Sequence, residues 1–89
     1  MVNGRVDRLI IRPDEILIID YKTDRPAPMD AAAVEFAYRV QLAAYRAVLA
    51  DIYPDRPVRC ALLYTDGPRL IEIPGDELSE SLNRVDSGV

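Results

Sequence analysis

Histidine and tryptophan are absent from the 89 residues, and cysteine occurs once. Without histidine there is no Ser-His-Asp or Cys-His catalysis, and the commonest metal ligand is missing. One cysteine excludes an internal disulfide and any four-cysteine zinc or iron–sulfur site. No apolar run approaches the roughly 20 residues of a membrane-spanning helix, and no signal peptide opens the chain. The expected setting is soluble, reducing and cytoplasmic, with no membrane partner. Basic side chains are outnumbered 11 to 15, for a formal charge of −4. That balance argues against a simple basic nucleic-acid patch. It leaves room for a nucleic-acid enzyme whose carboxylates hold metal.

What is present is ordinary globular composition, 49% hydrophobic and 29% charged. The length suits one domain, residues 1–89, with a thin core that buries only about 60–65% of the unfolded surface. There is no repeat and no low-complexity tract. Arg5 to Arg12 and Glu15 to Tyr21 are short, rich in Val, Ile and Leu, and bounded by turn residues, so both read as strands. Pro13-Asp14 between them makes a hairpin. The second run is nearly all apolar, as expected of a strand covered on both faces. A proline-punctuated loop follows, from Thr23 to Met29. Asp30 is a plausible N-cap for a helix over residues 31–51. Its apolar stripe would hold Val34, Tyr38, Gln41, Leu42, Tyr45, Val48, Leu49 and Ile52, with Glu35, Arg39 and Arg46 opposite. Val58–Thr65 and Arg69–Ile73 read as two further strands around Asp66-Gly67-Pro68. A short terminal helix is expected over Asp76–Val85. The fold class is α/β: a small mixed sheet made of a β-hairpin, a long helix, two further strands and a short C-terminal helix.

Asp7 and Asp20 are the aspartates placed inside strands rather than at turns. If Arg12 pairs with Glu15, paired positions sum to 27, so Asp7 faces Asp20 across the hairpin, with Cβ atoms about 4.5–5.5 Å apart. Facing like charges are destabilising without a cation between them. The apolar neighbours Val6, Ile18 and Ile19 raise that cost. A hard cation such as Mg²⁺ or Mn²⁺ resolves it, because such ions prefer carboxylate oxygen. Lys22 shares Asp20's strand face at i+2. There it can stabilise developing negative charge, or orient and help deprotonate a water. Two carboxylates, a lysine and a metal suit phosphodiester hydrolysis. The plainer alternative is a charge pair between Asp20 and Lys22, with Asp7 paired to Arg5 or Arg8. Gln41, in the middle of the apolar stripe and in line with Tyr45, has two readings. It either bonds a loop or solvent as scaffold, or lies beside the acidic site.

Gly4-Arg5-Val6-Asp7-Arg8, Ile19-Asp20-Tyr21-Lys22-Thr23 and Gln41-Leu42-Ala43-Ala44-Tyr45 together resemble the RecB-like branch of the PD-(D/E)XK nucleases. The likeness is strongest to the C-terminal nuclease domain of AddA-type helicase–nucleases, and it spans about Gly4 to Ile73. Each motif is weak alone, and the three in order are fairly specific. The resemblance implies a restriction-endonuclease-like core. It implies that Asp7 and Asp20 are the metal-binding carboxylates, with the Tyr21 backbone carbonyl as a third ligand and Lys22 as catalytic lysine. Gln41 and Tyr45 would contact DNA or brace the catalytic strand. The metal would be Mg²⁺ (or Mn²⁺), and the reaction exonucleolytic cleavage of DNA during double-strand break repair. The partners would be DNA ends and a second, AddB-type helicase–nuclease subunit in a bacterial cytoplasm. Relatives begin this core with a helix that carries a further His or Glu ligand. Here Gly4 stands near the first residue, so the expectation is a C-terminal fragment of a nuclease domain, lacking its first helix and weak or inactive alone. The rival is a non-catalytic nuclease-fold scaffold for DNA-end or partner docking. The remaining singled-out residues have bland readings. Cys60, Tyr53 and Tyr64 read as packing; Arg5, Arg8, Arg25 and Arg69 read as solvated charge.

Overall fold

The computed structural model describes residues 7–87. The elements run β1 (Arg8–Ile11), β2 (Ile16–Lys22), a 3₁₀ turn (Ala31–Ala33), α1 (Phe36–Ile52), β3 (Val58–Tyr64), β4 (Arg69–Ile73) and α2 (Gly75–Ser87). The four strands form one sheet in the order β1-β2-β3-β4. β1 pairs antiparallel with β2, β2 parallel with β3, and β3 antiparallel with β4. This is the small mixed α/β sheet the sequence implies. Arg5 and Val6, read as the start of the first strand, lie outside the described residues.

The hairpin register is as the arithmetic requires. Arg8 faces Ile19, Leu9 faces Ile18, Ile10 faces Leu17 and Ile11 faces Ile16. The Arg12 amide donates to the Glu15 carbonyl at 2.9 Å, closing the turn. The parallel step then sets Ile18 beside Cys60, Asp20 beside Leu62 and Lys22 beside Tyr64. Period-2 alternation puts Ile16, Ile18, Cys60, Leu62, Tyr64, Ile71 and Ile73 on one face, all buried under the helices with Leu42, Ala43 and Leu78.

Three expectations are corrected. First, β2 is covered on one face only: on the other, Leu17 and Ile19 are half-buried and Tyr21 is 44% exposed. Secondly, the helix begins at Phe36 rather than Ala31. Asp30 does cap, its carboxylate accepting from the Ala33 amide at 3.2 Å, but what it caps is the 3₁₀ turn. Val34 then turns extended (ψ 138°) and is 3% exposed. Burying that side chain against the core interrupts the helix. Thirdly, the stripe is rotated. Val48 and Ile52 are exposed, while Arg46 reaches the Val58 carbonyl and the Ser79 hydroxyl, both at 3.3 Å. The flank of α1 carrying Ala43, Arg46 and Ala47 meets Leu78, Ser79 and Leu82 of α2. Small side chains there let the helices approach without a hydropathy peak to announce it. A Cβ on Gly75 would stand 2.9 Å from the Arg46 guanidinium, so glycine admits this close approach.

The loop after β2 is pinned to the β3–β4 turn. The Asp66 carboxylate accepts from the Ala27 amide at 3.0 Å, and Arg69 donates to the Pro28 carbonyl at 2.9 Å. Ala27 is buried in consequence. Gly67 sits in that turn at φ +126°, a backbone conformation that favours glycine.

Candidate active site

The site lies where β2 ends beside β3. Asp20 is the buried acid of the sheet, 8% exposed, because its strand position points it under the helices. Burial pushes its carboxyl above the usual range, and the adjoining Asp7 carboxyl pushes the same way. The Lys22 ammonium opposes both. The Lys22 Nζ stands 2.9 Å from Asp20 Oδ2.

Asp7 is exposed at the end of the hairpin, one residue before β1. Its Oδ2 accepts from the Tyr21 amide at 2.8 Å. Odd-numbered residues of β2 turn their backbone groups toward β1, so the Asp7 side chain takes a donor at the point where the ladder stops. The structure therefore brings Asp7, Asp20, the Tyr21 backbone and Lys22 together. Asp7 meets Asp20 and Tyr21, and Arg5, its other candidate partner, lies outside the described residues.

Two residues that the sequence reading gave no role join them. The Lys22 ammonium lies 4.0 Å from the centre of the Tyr38 ring. The Tyr38 hydroxyl donates to Asp24, 3.1 Å from Oδ1 and 3.2 Å from Oδ2. Burial, then the Asp24 carboxylate, raises the Tyr38 hydroxyl above its ordinary pKa, so it remains a donor. A signal existed: Asp24 follows Lys22 by two residues, and Tyr38 precedes Gln41 by one helical turn. Tyr64, the β3 neighbour of Lys22, is 1% exposed, and burial pushes its hydroxyl up to about 12. Tyr64 is thus core, as expected.

Gln41 and Tyr45 occupy the same side of α1, both half-buried. Gln41 makes no side-chain hydrogen bond among the described residues. The Tyr45 hydroxyl is buried without a hydrogen-bond partner there. A buried hydroxyl without a partner is costly, and this one lies on the helix that carries Tyr38. Cys60 is fully buried, its thiol pushed up to about 12 by burial, and is a core residue.

Among the described residues no three acidic, cysteine or histidine side chains converge to hold a metal ion. The donor set that the structure brings together is the Asp7 and Asp20 carboxylates. It consists of oxygen alone and suits a hard cation that keeps several waters. The raised Asp20 carboxyl is the group a cation would relieve.

Comparison with known proteins bears on the same residues. The PD-(D/E)XK nuclease superfamily matches residues 1–86. One relative, an ATP-dependent helicase/nuclease subunit from Desulforudis audaxviator (strain MP104C), is 49% identical over 51 residues. That segment covers 56% of this chain and 4% of the relative, so the chain spans a small part of that protein's length. No solved structure matches the chain.

Proposed function

The chain belongs to the PD-(D/E)XK nuclease superfamily, and on that premise we propose that it is the metal-dependent DNA-cleaving segment of a helicase–nuclease. The parent would process double-strand breaks for recombinational repair. One observation carries the reading: the Asp7 and Asp20 carboxyls adjoin at the end of the hairpin, with the Lys22 ammonium 2.9 Å from Asp20. Nothing in a purely structural role favours two acids in contact.

Asp7, Asp20 and the Tyr21 carbonyl would hold Mg²⁺ (or Mn²⁺). The ion would supply Lewis-acid charge stabilisation at a phosphodiester. Lys22 would hold the attacking water by its ammonium protons and neutralise charge building on the phosphate. Water adds to phosphorus, the ester oxygen leaves, and the proton lost by the water passes to solvent or to the leaving oxygen. Gln41 and Tyr45 would contact the DNA or brace β2. DNA ends are the proposed substrate, and an AddB-type subunit the proposed partner, in a bacterial cytoplasm. We propose too that residues 1–89 are a piece of a longer nuclease domain. A non-catalytic docking scaffold is the second reading, favoured by the absence of a third acidic ligand among the described residues.

Two measurements test this. Titrating the chain with millimolar Mg²⁺ or Mn²⁺ should move NMR signals of Asp7, Asp20, Tyr21 and Lys22 and leave α2 unmoved. Uniform or absent changes would remove the metal site. In the longer protein, Asp20→Ala or Lys22→Ala should abolish cleavage of linear duplex DNA while ATP-driven unwinding persists. Retained cleavage rules out their catalytic role, and DNA binding without cleavage in the unmutated protein supports the scaffold.

A further inference from the structure

We propose that Tyr38 is a positioning residue for Lys22: its ring, itself held by Asp24, fixes where the ammonium sits against Asp20. The inference rests on the nuclease reading above. A strand sets only the direction in which a lysine leaves the backbone. The four-carbon stem remains flexible, so the head group needs a second contact to stay in one place. Here it has two. Asp20 Oδ2 lies 2.9 Å from Nζ, and the centre of the Tyr38 ring lies 4.0 Å away. The face of an aromatic ring attracts a cation, more so where water is largely excluded. The Lys22 side chain is 17% exposed.

The ring in turn is fixed. Its hydroxyl donates to both oxygens of Asp24, at 3.1 and 3.2 Å. Asp24 stands two residues beyond Lys22, so the contacts close a loop from the end of β2 through α1 and back. That closure couples the orientation of α1 to the position of the ammonium. It gives Tyr38 a role distinct from filling the core, since its ring faces a charge and its hydroxyl a carboxylate.

Lys22 is the only lysine in the sequence. A chain labelled in lysine therefore gives one set of side-chain signals. In the unmutated chain the ε-methylene protons should lie upfield of free lysine, because the ammonium bonded to that carbon stands 4.0 Å from the ring centre. Tyr38→Phe should keep that shift and Tyr38→Leu should lose it. In cleavage by the longer protein, Tyr38→Leu should lower kcat about tenfold, or 1.36 kcal/mol, with KM changed less than about twofold. Tyr38→Phe should stay within about threefold. Ordinary ε-proton shifts in the unmutated chain overturn the proposal, as does a Phe variant as impaired as the Leu variant. If Tyr38→Leu fails to fold, the unmutated spectrum and Tyr38→Phe decide, and loss of the shift in either overturns it. An upfield shift in a protein that cleaves nothing with Mg²⁺ or Mn²⁺ sinks the nuclease reading and leaves the contact standing.

Discussion

Replacing Lys22 by methionine should destabilise the metal-free chain by about 2 kcal/mol, and the cost should fall by about half when Asp20 is already asparagine. Methionine keeps most of the apolar stem and removes the charge. The ion pair is short, 2.9 Å, and its side chains are 17% and 11% exposed. Two unit charges about 4 Å apart attract by about 4 kcal/mol at an effective dielectric of about 20. Desolvation and the ordering of the lysine stem, up to about 2 kcal/mol, offset part of this. The net lies above the ~0–1 kcal/mol of an exposed pair and below the ~3–5 kcal/mol of a fully buried one. At about 4–8 °C per kcal/mol for a domain this size, the melting temperature should fall by about 8–16 °C. The Asp20 carboxyl remains raised even beside Lys22, so its charged form is disfavoured and the neutral Asp20→Asn should be tolerated. In that background Lys22→Met should still lose the Tyr38 ring contact and cost about 1 kcal/mol, a coupling of about 1 kcal/mol in a double-mutant cycle. Urea and thermal melts of the four proteins read it. Equal costs of Lys22→Met in both backgrounds would refute the reasoning.

Two further outcomes follow from the packing. The Cys60 thiol, pushed up to about 12, should resist alkylation at pH 8 and react at once on unfolding, as a thiol-reagent assay with and without urea would read. Its raised folded value also has a sign: stability is whole below the unfolded thiol's pKa of about 8.5 and falls as pH rises from there toward about 12. Asp66→Ala removes the acceptor of the Ala27 amide, so melts should show a loss of about 1–2 kcal/mol, and an unchanged melting temperature would mean the loop needs no such pin.

Much of the fold was legible because it depends on short-range rules. The hairpin register follows from the closing pair Arg12–Glu15 and the alternation of strands, and that register carried Asp7 to Asp20. Asp30 was a true cap but of the wrong turn, since a cap does not reveal how far its helix extends. Val34 decided that: it is buried as the apolar stripe implied, but from an extended backbone rather than from a helix. Arg46 falls opposite the apolar stripe because its alanine-lined flank has little hydropathy, although α2 packs against it. The contact of Lys22 with Tyr38 depends on how α1 crosses the sheet, which a single sequence does not encode locally.

The order in which the acid pair and its cover are made gives the hairpin one more meaning. Both carboxylates belong to the hairpin, which is complete at Lys22, whereas Leu42, Leu62 and Tyr64 come later in the chain. During synthesis, at about 5–20 residues per second, the two acids therefore meet in water. There, repulsion at about 4 Å costs only about 1 kcal/mol, against about 4 kcal/mol at an effective dielectric of about 20. The conflict is thus made by closure rather than by pairing. On the proposed metal site, a cation between Asp7 and Asp20 would gain most of its hold as α1 and β3 arrive, so its uptake would be coupled to the final packing step.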